Sequence, residues 1–192
     1  MFARRLAVGA LAVLVLTTAA LADTLADKIA QCAACHGENG RSADPRIPHI
    51  GGQPKLAVMY QLFFFREGRR KSEEMNAIAK QLTDAELDAI AEHVSRLPAV
   101  GPVTDAVDQA RYQRGAEIAA GRHCASCHNP DYSGRQQMPR LAGQNEAYTV
   151  KALQDFRTGA RIGTQAAMAE AVRGLTDADF ADLAYFLARV RP

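Results

Sequence analysis

A chain of 192 residues, with 23 Lys+Arg against 21 Asp+Glu and 48% apolar side chains, has the length and balance of one medium or two small globular domains. A formal charge of +2, with no basic cluster interleaved with aromatics, argues against a nucleic-acid-binding surface. Four cysteines are too few for a dense disulfide scaffold, so their spacing has to carry the message.

Arg4 and Arg5 precede an apolar run from Leu6 to Leu16 and small residues ending Ala20-Leu21-Ala22. A basic start, a short apolar core and an A-x-A site predict a cleaved secretory signal peptide over residues 1–22. The run is short for a bilayer span, and no other stretch reaches about 18 apolar residues. Cleavage after Ala22 removes Arg4 and Arg5, leaves acidic and basic side chains in balance, and places the protein outside the cytoplasm.

The remainder is one unit written twice. CAACH at Cys32 to His36 recurs as CASCH at Cys124 to His128, and PHIGGQ from Pro48 recurs as PRLAGQ from Pro139. FREG from Phe65 recurs as FRTG from Phe156, and MNAIAKQLTDAEL from Met75 as MAEAVRGLTDADF from Met168. Four anchors in the same order, offset by 91 to 93 residues, indicate duplicated domains with small loop insertions. Two prolines and a glycine within Leu97 to Pro102 mark the seam. The expected domains are 23–98 and 108–192, joined by a linker at 99–107.

Both units read as helical, and no alternating strand pattern appears. In chain order, a helix is expected over Leu25 to Ala34, running into the first CxxCH. A second opens at Pro54 and stops near Gly68, with Leu56, Tyr60, Phe63 and Phe64 on its apolar face. A third follows the T-x-x-E capping box at Thr83 to Glu86 and buries Leu87, Ile90, Ala91 and Val94. In the twin, a helix is expected over Ala110 to Cys124, and another behind Thr176 to Asp179 buries Phe180, Leu183, Ala184 and Leu187. Units of this size sit where an apolar core alone is barely sufficient, so something else is expected to fill the middle.

CxxCH is the attachment sequence for c-type haem. Two thiols add across the porphyrin vinyl groups, and the adjacent His presents an imidazole nitrogen to iron. Cys32, Cys35 and His36 would serve one haem, and Cys124, Cys127 and His128 the other. Disulfides, a redox dithiol and a zinc site compete for such cysteines. The first two need no His after each pair, and zinc would require the two units to share one site.

Methionine sulfur is a common second ligand in electron-carrying cytochromes. Met75 and Met168 each stand seven residues before the Leu of L-T-D-A and are therefore twins, whereas Met59 and Met138 have no methionine counterpart. Met75 and Met168 are the expected sixth ligands. His49, His93 and His123 lack His twins and read as surface or loop residues. A ligating His normally donates its other N–H to a fixed acceptor. Pro48 and Pro139 lie 12 and 11 residues beyond the CxxCH histidines, and their carbonyls are the expected acceptors. Arg66, Arg69, Arg70 and Lys71 form a basic run with partial twins at Arg157 and Arg161. It reads first as a solvated face, and otherwise as a set of groups that neutralise haem propionates or steer an acidic partner. No triad, paired-carboxylate motif or nucleotide-binding glycine loop appears, and Gly51-Gly52 reads as a close-packed turn.

Tandem CxxCH sites, each followed by P-x-[IL]-x-G-Q, an aromatic helix ending F-R-x-G and a Met before L-T-D, resemble the two-haem class I cytochromes c, most of all the cytochrome c4 family. The resemblance spans essentially the whole mature chain. It implies an all-α protein of two cytochrome c domains related by a pseudo-twofold axis, each wrapped around a covalently bound haem. The ligand pairs it implies are His36 with Met75 and His128 with Met168. It implies a periplasmic electron carrier and not an enzyme, fed by a quinol–cytochrome c reductase or a dehydrogenase and drained by a terminal oxidase, with loose membrane association. Alternatives are a dihaem subunit of a larger flavocytochrome-type dehydrogenase and, less favoured by the paired methionines, a dihaem peroxidase. Where the family often has a second Met or a Pro after the ligand Met, this chain has Asn76 and Ala169, which leaves the stiffness of that segment open.

Overall fold

The structure is a computed structural model that describes residues 16–161 and 166–191, with side chains from Leu25 onward. The expected leader thus lies for the most part outside the described residues. Among those residues nine helices occur: α1 Leu16–His36, α2 Lys55–Arg66, α3 Glu73–Ala79, α4 Asp84–Arg96, α5 Gln109–Gly121, α6 Cys124–His128, α7 Glu146–Thr158, α8 Ala166–Ala171 and α9 Asp177–Arg189. Extended pairing among them is confined to two isolated bridges, Arg70 with Arg161 and Arg135 with Met138. None of the helices is long and apolar enough to cross a membrane.

The capping boxes form as expected. Thr83 Oγ1 accepts from the Glu86 N–H while Glu86 Oε2 accepts from the Thr83 N–H, and Thr176 with Asp179 repeats the arrangement. These boxes phase α4 and α9 so that Leu87, Ile90, Ala91 and Val94, and Phe180, Leu183, Ala184 and Leu187, point inward. In the first domain α2 packs on α3 and α4, and α1 on α4. In the second, α5 and α7 pack on α9. The α5–α9 crossing is possible because position 115 is glycine: a Cβ there would stand 2.2 Å from the Asp182 carbonyl oxygen.

Three expectations need correction. The helix expected over Ala110 to Cys124 is broken after Gly121, because Arg122 caps α5 and His123 takes a left-handed φ of 53° before α6. The second CASCH therefore forms its own short helix, whereas the first is the end of α1. On α2 the buried side chains are Ala57, Leu62, Phe64 and Phe65, and Leu56 and Tyr60 stand out at 39% and 38% exposure. An almost unbroken apolar run has no polar face to set its phase, so periodicity misplaces the buried side. The basic run is not one solvated face. Arg66 pairs with Asp84 at 2.7 Å, its twin Arg157 pairs with Asp177 at 2.6 Å, and both tie helix ends together within their domains. Arg69 and Lys71 are exposed, whereas Arg70 and Arg161 lie at the domain boundary.

That boundary is built from twins. The Gln53 carboxamide bonds the backbone of Arg140, and the Gln144 carboxamide bonds the backbone of His49. Residues 49 and 140 are themselves a repeat pair, so the contacts interchange under the pseudo-twofold. The non-helical stretch 97–108 runs through this centre: a Cβ on Gly52 would meet Ala99, and one on Gly143 would meet the Val100 carbonyl. The stretch then wraps α9, where Arg189 pairs with Asp105 at 2.9 Å and Val103 N–H donates to the Ala188 carbonyl. These contacts explain why α9 is buried nearly all round.

Candidate haem-binding sites

Each site starts at a helix end that presents two thiols and an imidazole. No disulfide joins any of the four cysteines: Cys32 and Cys124 are half-buried, and Cys35 and Cys127 are exposed. Burial pushes the thiols of Cys32 and Cys124 up, the reverse of what a reactive redox dithiol needs. Among the described residues no three His, Cys, Asp or Glu side chains gather as a metal cluster, so the shared zinc site has no geometry to support it.

The two histidines are buried and held alike. His36 Nδ1 lies 2.9 Å from the Pro48 carbonyl oxygen, and His128 Nδ1 lies 2.8 Å from that of Pro139. A proline carbonyl can only accept, so Nδ1 carries the proton and the Nε2 lone pair is left free to bind a metal. Burial pushes the pKa of both histidines down, more than the hydrogen bond to the proline carbonyl raises it, which keeps the imidazoles neutral. The residue after each histidine has positive φ, 79° at Gly37 and 69° at Asn129, and turns the chain toward that proline.

The methionine twins occupy matching places, each third in a short helix that sequence periodicity did not reveal. Met75 in α3 packs against the first domain's core of Leu62, Leu82, Leu87, Ile90 and Val94, and Met168 in α8 packs against the second domain's larger core. Asn76 settles the stiffness of the first segment: its Oδ1 accepts from Ser72 N–H at 2.8 Å, and its Nδ2 donates to the carbonyls of Phe65 and Arg70. Ala169 has no such side chain. Met59 is partly buried on α2, and Met138 lies on a turn whose hollow it shares with Cys127. His49 is a loop residue but not a surface one. It is buried, and its Nδ1 accepts from the Ser42 N–H at 3.1 Å. His93 is half-buried and His123 exposed.

The residues suit a covalently held haem: paired free thiols one helical turn apart, a neutral imidazole with Nε2 free, and a methionine against the same core. Helical fold and duplicated site together define a two-domain class I c-type cytochrome carrying two covalently attached haem c groups. The family model described as "Cytochrome c" matches residues 112–191, and "Cytochrome C oxidase, cbb3-type, subunit III" matches residues 19–94. Cytochrome c4 of Pseudomonas aeruginosa is 34% identical over 169 residues, 83% of this chain and 84% of that protein. A thiosulfate dehydrogenase electron acceptor of Thiomonas intermedia is 29% identical, covering 83% and 78%. The structure of reduced recombinant cytochrome c4 from Pseudomonas stutzeri superposes with a TM-score of 0.78 at 29% identity, over 88% of this chain and 98% of that one. The chain belongs to the cytochrome c4 family, whose dihaem members are electron-transfer proteins.

In the sequence Gln53 and Gln144 stand only as repeat letters, and Gln61 and Tyr148 belong to no motif. The glutamines were visible as twins, but nothing in one sequence tells that they reach across a domain boundary.

Proposed function

We propose that this protein is a periplasmic carrier that takes single electrons from a quinol–cytochrome c reductase or a dehydrogenase and delivers them to a terminal oxidase or similar acceptor. Cys32 and Cys35 would tether one haem, and His36 and Met75 would hold its iron. Cys124 and Cys127 would tether the other, with His128 and Met168. The observation that carries this reading is the repeated histidine-to-proline hydrogen bond, which occupies Nδ1 and leaves Nε2 of each histidine with its lone pair free for a metal. The domain limits 23–98 and 108–192, with a linker at 99–107, and removal of residues 1–22 belong to the same proposal.

When bound, each haem supplies a one-electron couple at iron. The chain's contribution is to hold geometry. The Pro48 and Pro139 carbonyls fix ring orientation and basicity of the histidines, and Ser72 and Asn76 brace the Met75 segment. With His36 and Met75 holding one iron and His128 and Met168 the other, no position would stay open to a substrate, and the haems would supply electron transfer alone without a proton-transfer group. That is why we read the protein as a carrier and not a peroxidase.

A second reading, acceptor or subunit for a larger dehydrogenase, is favoured by the similarity to the Thiomonas electron acceptor. Purified holoprotein incubated with isolated membranes separates the two. Reduction by quinol and reoxidation by the membranes support the respiratory carrier, and reduction only by thiosulfate with a thiosulfate dehydrogenase supports the second reading. A product without covalent haem by mass defeats both.

A further inference from the structure

Each CxxCH histidine is held by a peptide group that the other domain also grips. The oxygen of the Pro48–His49 peptide accepts from His36 Nδ1. The N–H of that same peptide donates to Gln144 Oε1 at 2.8 Å, and Gln144 Nε2 donates to the His49 carbonyl at 2.9 Å. In the twin, the oxygen of the Pro139–Arg140 peptide accepts from His128 Nδ1. Its N–H donates to Gln53 Oε1 at 2.9 Å, and Gln53 Nε2 donates to the Arg140 carbonyl at 3.0 Å.

The two ends of a peptide are electronically joined by amide resonance. When the N–H donates, density moves toward the oxygen and the carbonyl becomes a stronger acceptor. It then draws harder on the imidazole Nδ1–H, which makes Nε2 a stronger donor to iron and favours the oxidised state. Gln144 is only 7% exposed, so water does not readily replace its carboxamide.

The geometry points to Gln144 and Gln53 as crossed positioning residues: each tunes the potential of the haem in the domain to which it does not belong. This rests on the reading of His36 and His128 as axial ligands.

The test uses the holoprotein and an NMR-monitored redox titration, with each haem assigned through the methionine signals lost in Met75→Ala and Met168→Ala. Gln144→Met removes both hydrogen bonds to His49 at similar volume, together with the one Oε1 accepts from the Asn145 N–H. The expected result is a rise in potential at the first domain's haem of about tenfold in its one-electron equilibrium, or about 59 mV, with a much smaller change at the second. Gln53→Met gives the mirror image. An equal shift at both haems, a larger shift at the variant's own haem, or none overturns the inference, because a merely loosened boundary predicts no crossing. If Gln144→Met does not assemble, the less buried Gln53 carries the test alone. His36→Ala examines the reading beneath: low-spin spectra kept at both haems defeat the ligation itself. Loss at one haem with unmoved glutamine variants defeats only the crossing.

Discussion

Arg70 and Arg161 face each other across the domain boundary as an antiparallel bridge pair, and both donate to one oxygen, Gln61 Oε1, at 2.8 and 2.9 Å. They are repeat twins, each stacked on the phenylalanine five residues before it, Phe65 and Phe156. Neither guanidinium forms an ion pair with a carboxylate among the described residues. Both act on Tyr148, whose hydroxyl accepts from Arg70 at 2.9 Å.

Tyr148 therefore titrates early. Burial pushes its phenol up, but the charges of Arg70 and Arg161 outweigh burial and bring it down to about 8. A group with a depressed folded pKa contributes stability that is full above its unfolded value, here about 10, and is lost as pH falls through about 8. Between those limits the folded state gains as pH rises. Tyrosinate absorbance near pH 8 from one of the five tyrosines, absent in Tyr148→Phe, is the expected signature.

Met168→Ala should turn one haem high-spin and open it to carbon monoxide while the other spectrum stays unchanged, and Met75→Ala should do the same to the other haem. Visible spectra of the reduced proteins with and without carbon monoxide read this directly. Two low-spin haems in Met168→Ala would remove that residue as a ligand.

Asn76→Ala should loosen only the first domain's methionine. The substitution strands the Ser72 N–H and the Arg70 carbonyl, at about 1–3 kcal/mol for each group left without a partner, while the Phe65 carbonyl keeps the Gly68 N–H. Carbon monoxide should then enter the first haem faster than in the unaltered protein, and the second haem should not change. Equal rates before and after the substitution would show that Asn76 does not hold the segment.

Gly115→Ala should destabilise the second domain by about 1–3 kcal/mol, the usual cost of overpacking. Its methyl has to displace the Asp182 carbonyl and Phe186 Cβ, both rigid parts of α9. Gly121→Ala, which meets nothing within 4 Å, serves as the control in the same denaturant titration.

Glu86 links the α4 cap to α1 through Lys28. Hydrogen bonds from Lys28 and from Thr83 hold its carboxyl down to about 2. The sign follows from a depressed folded pKa: this stability is present above the ordinary glutamate value and is lost as pH falls through about 2. Thr83→Ala should cost about 1 kcal/mol at neutral pH through the lost cap. Glu86→Gln should flatten the acid limb of the first domain's unfolding curve below pH 4.5.

Much of this protein could be read from its letters because the information is local. CxxCH, the capping boxes at Thr83 and Thr176, the seam at Leu97 to Pro102 and the twin methionines depend on spacing along the chain, and duplication supplied an internal check on each. The proline carbonyls were reachable in the same way, since a ligating imidazole requires a fixed acceptor and each proline follows its histidine at nearly equal distance. The break before α6 and the rotated face of α2 were not legible. A left-handed turn at His123 carries no letter that demands it, and the apolar run of α2 has no polar side to set a phase.

Two alike units, each with a thiol pair, an imidazole and a thioether in the same order, are legible along the chain. How the units meet is visible only in the fold: Gln53 on Arg140, Gln144 on His49, and Arg70 beside Arg161. Those contacts join residues some 90 positions apart through backbone groups, and backbone groups are identical at every residue. A pairing made through them leaves no mark in the amino-acid code until the chain has folded.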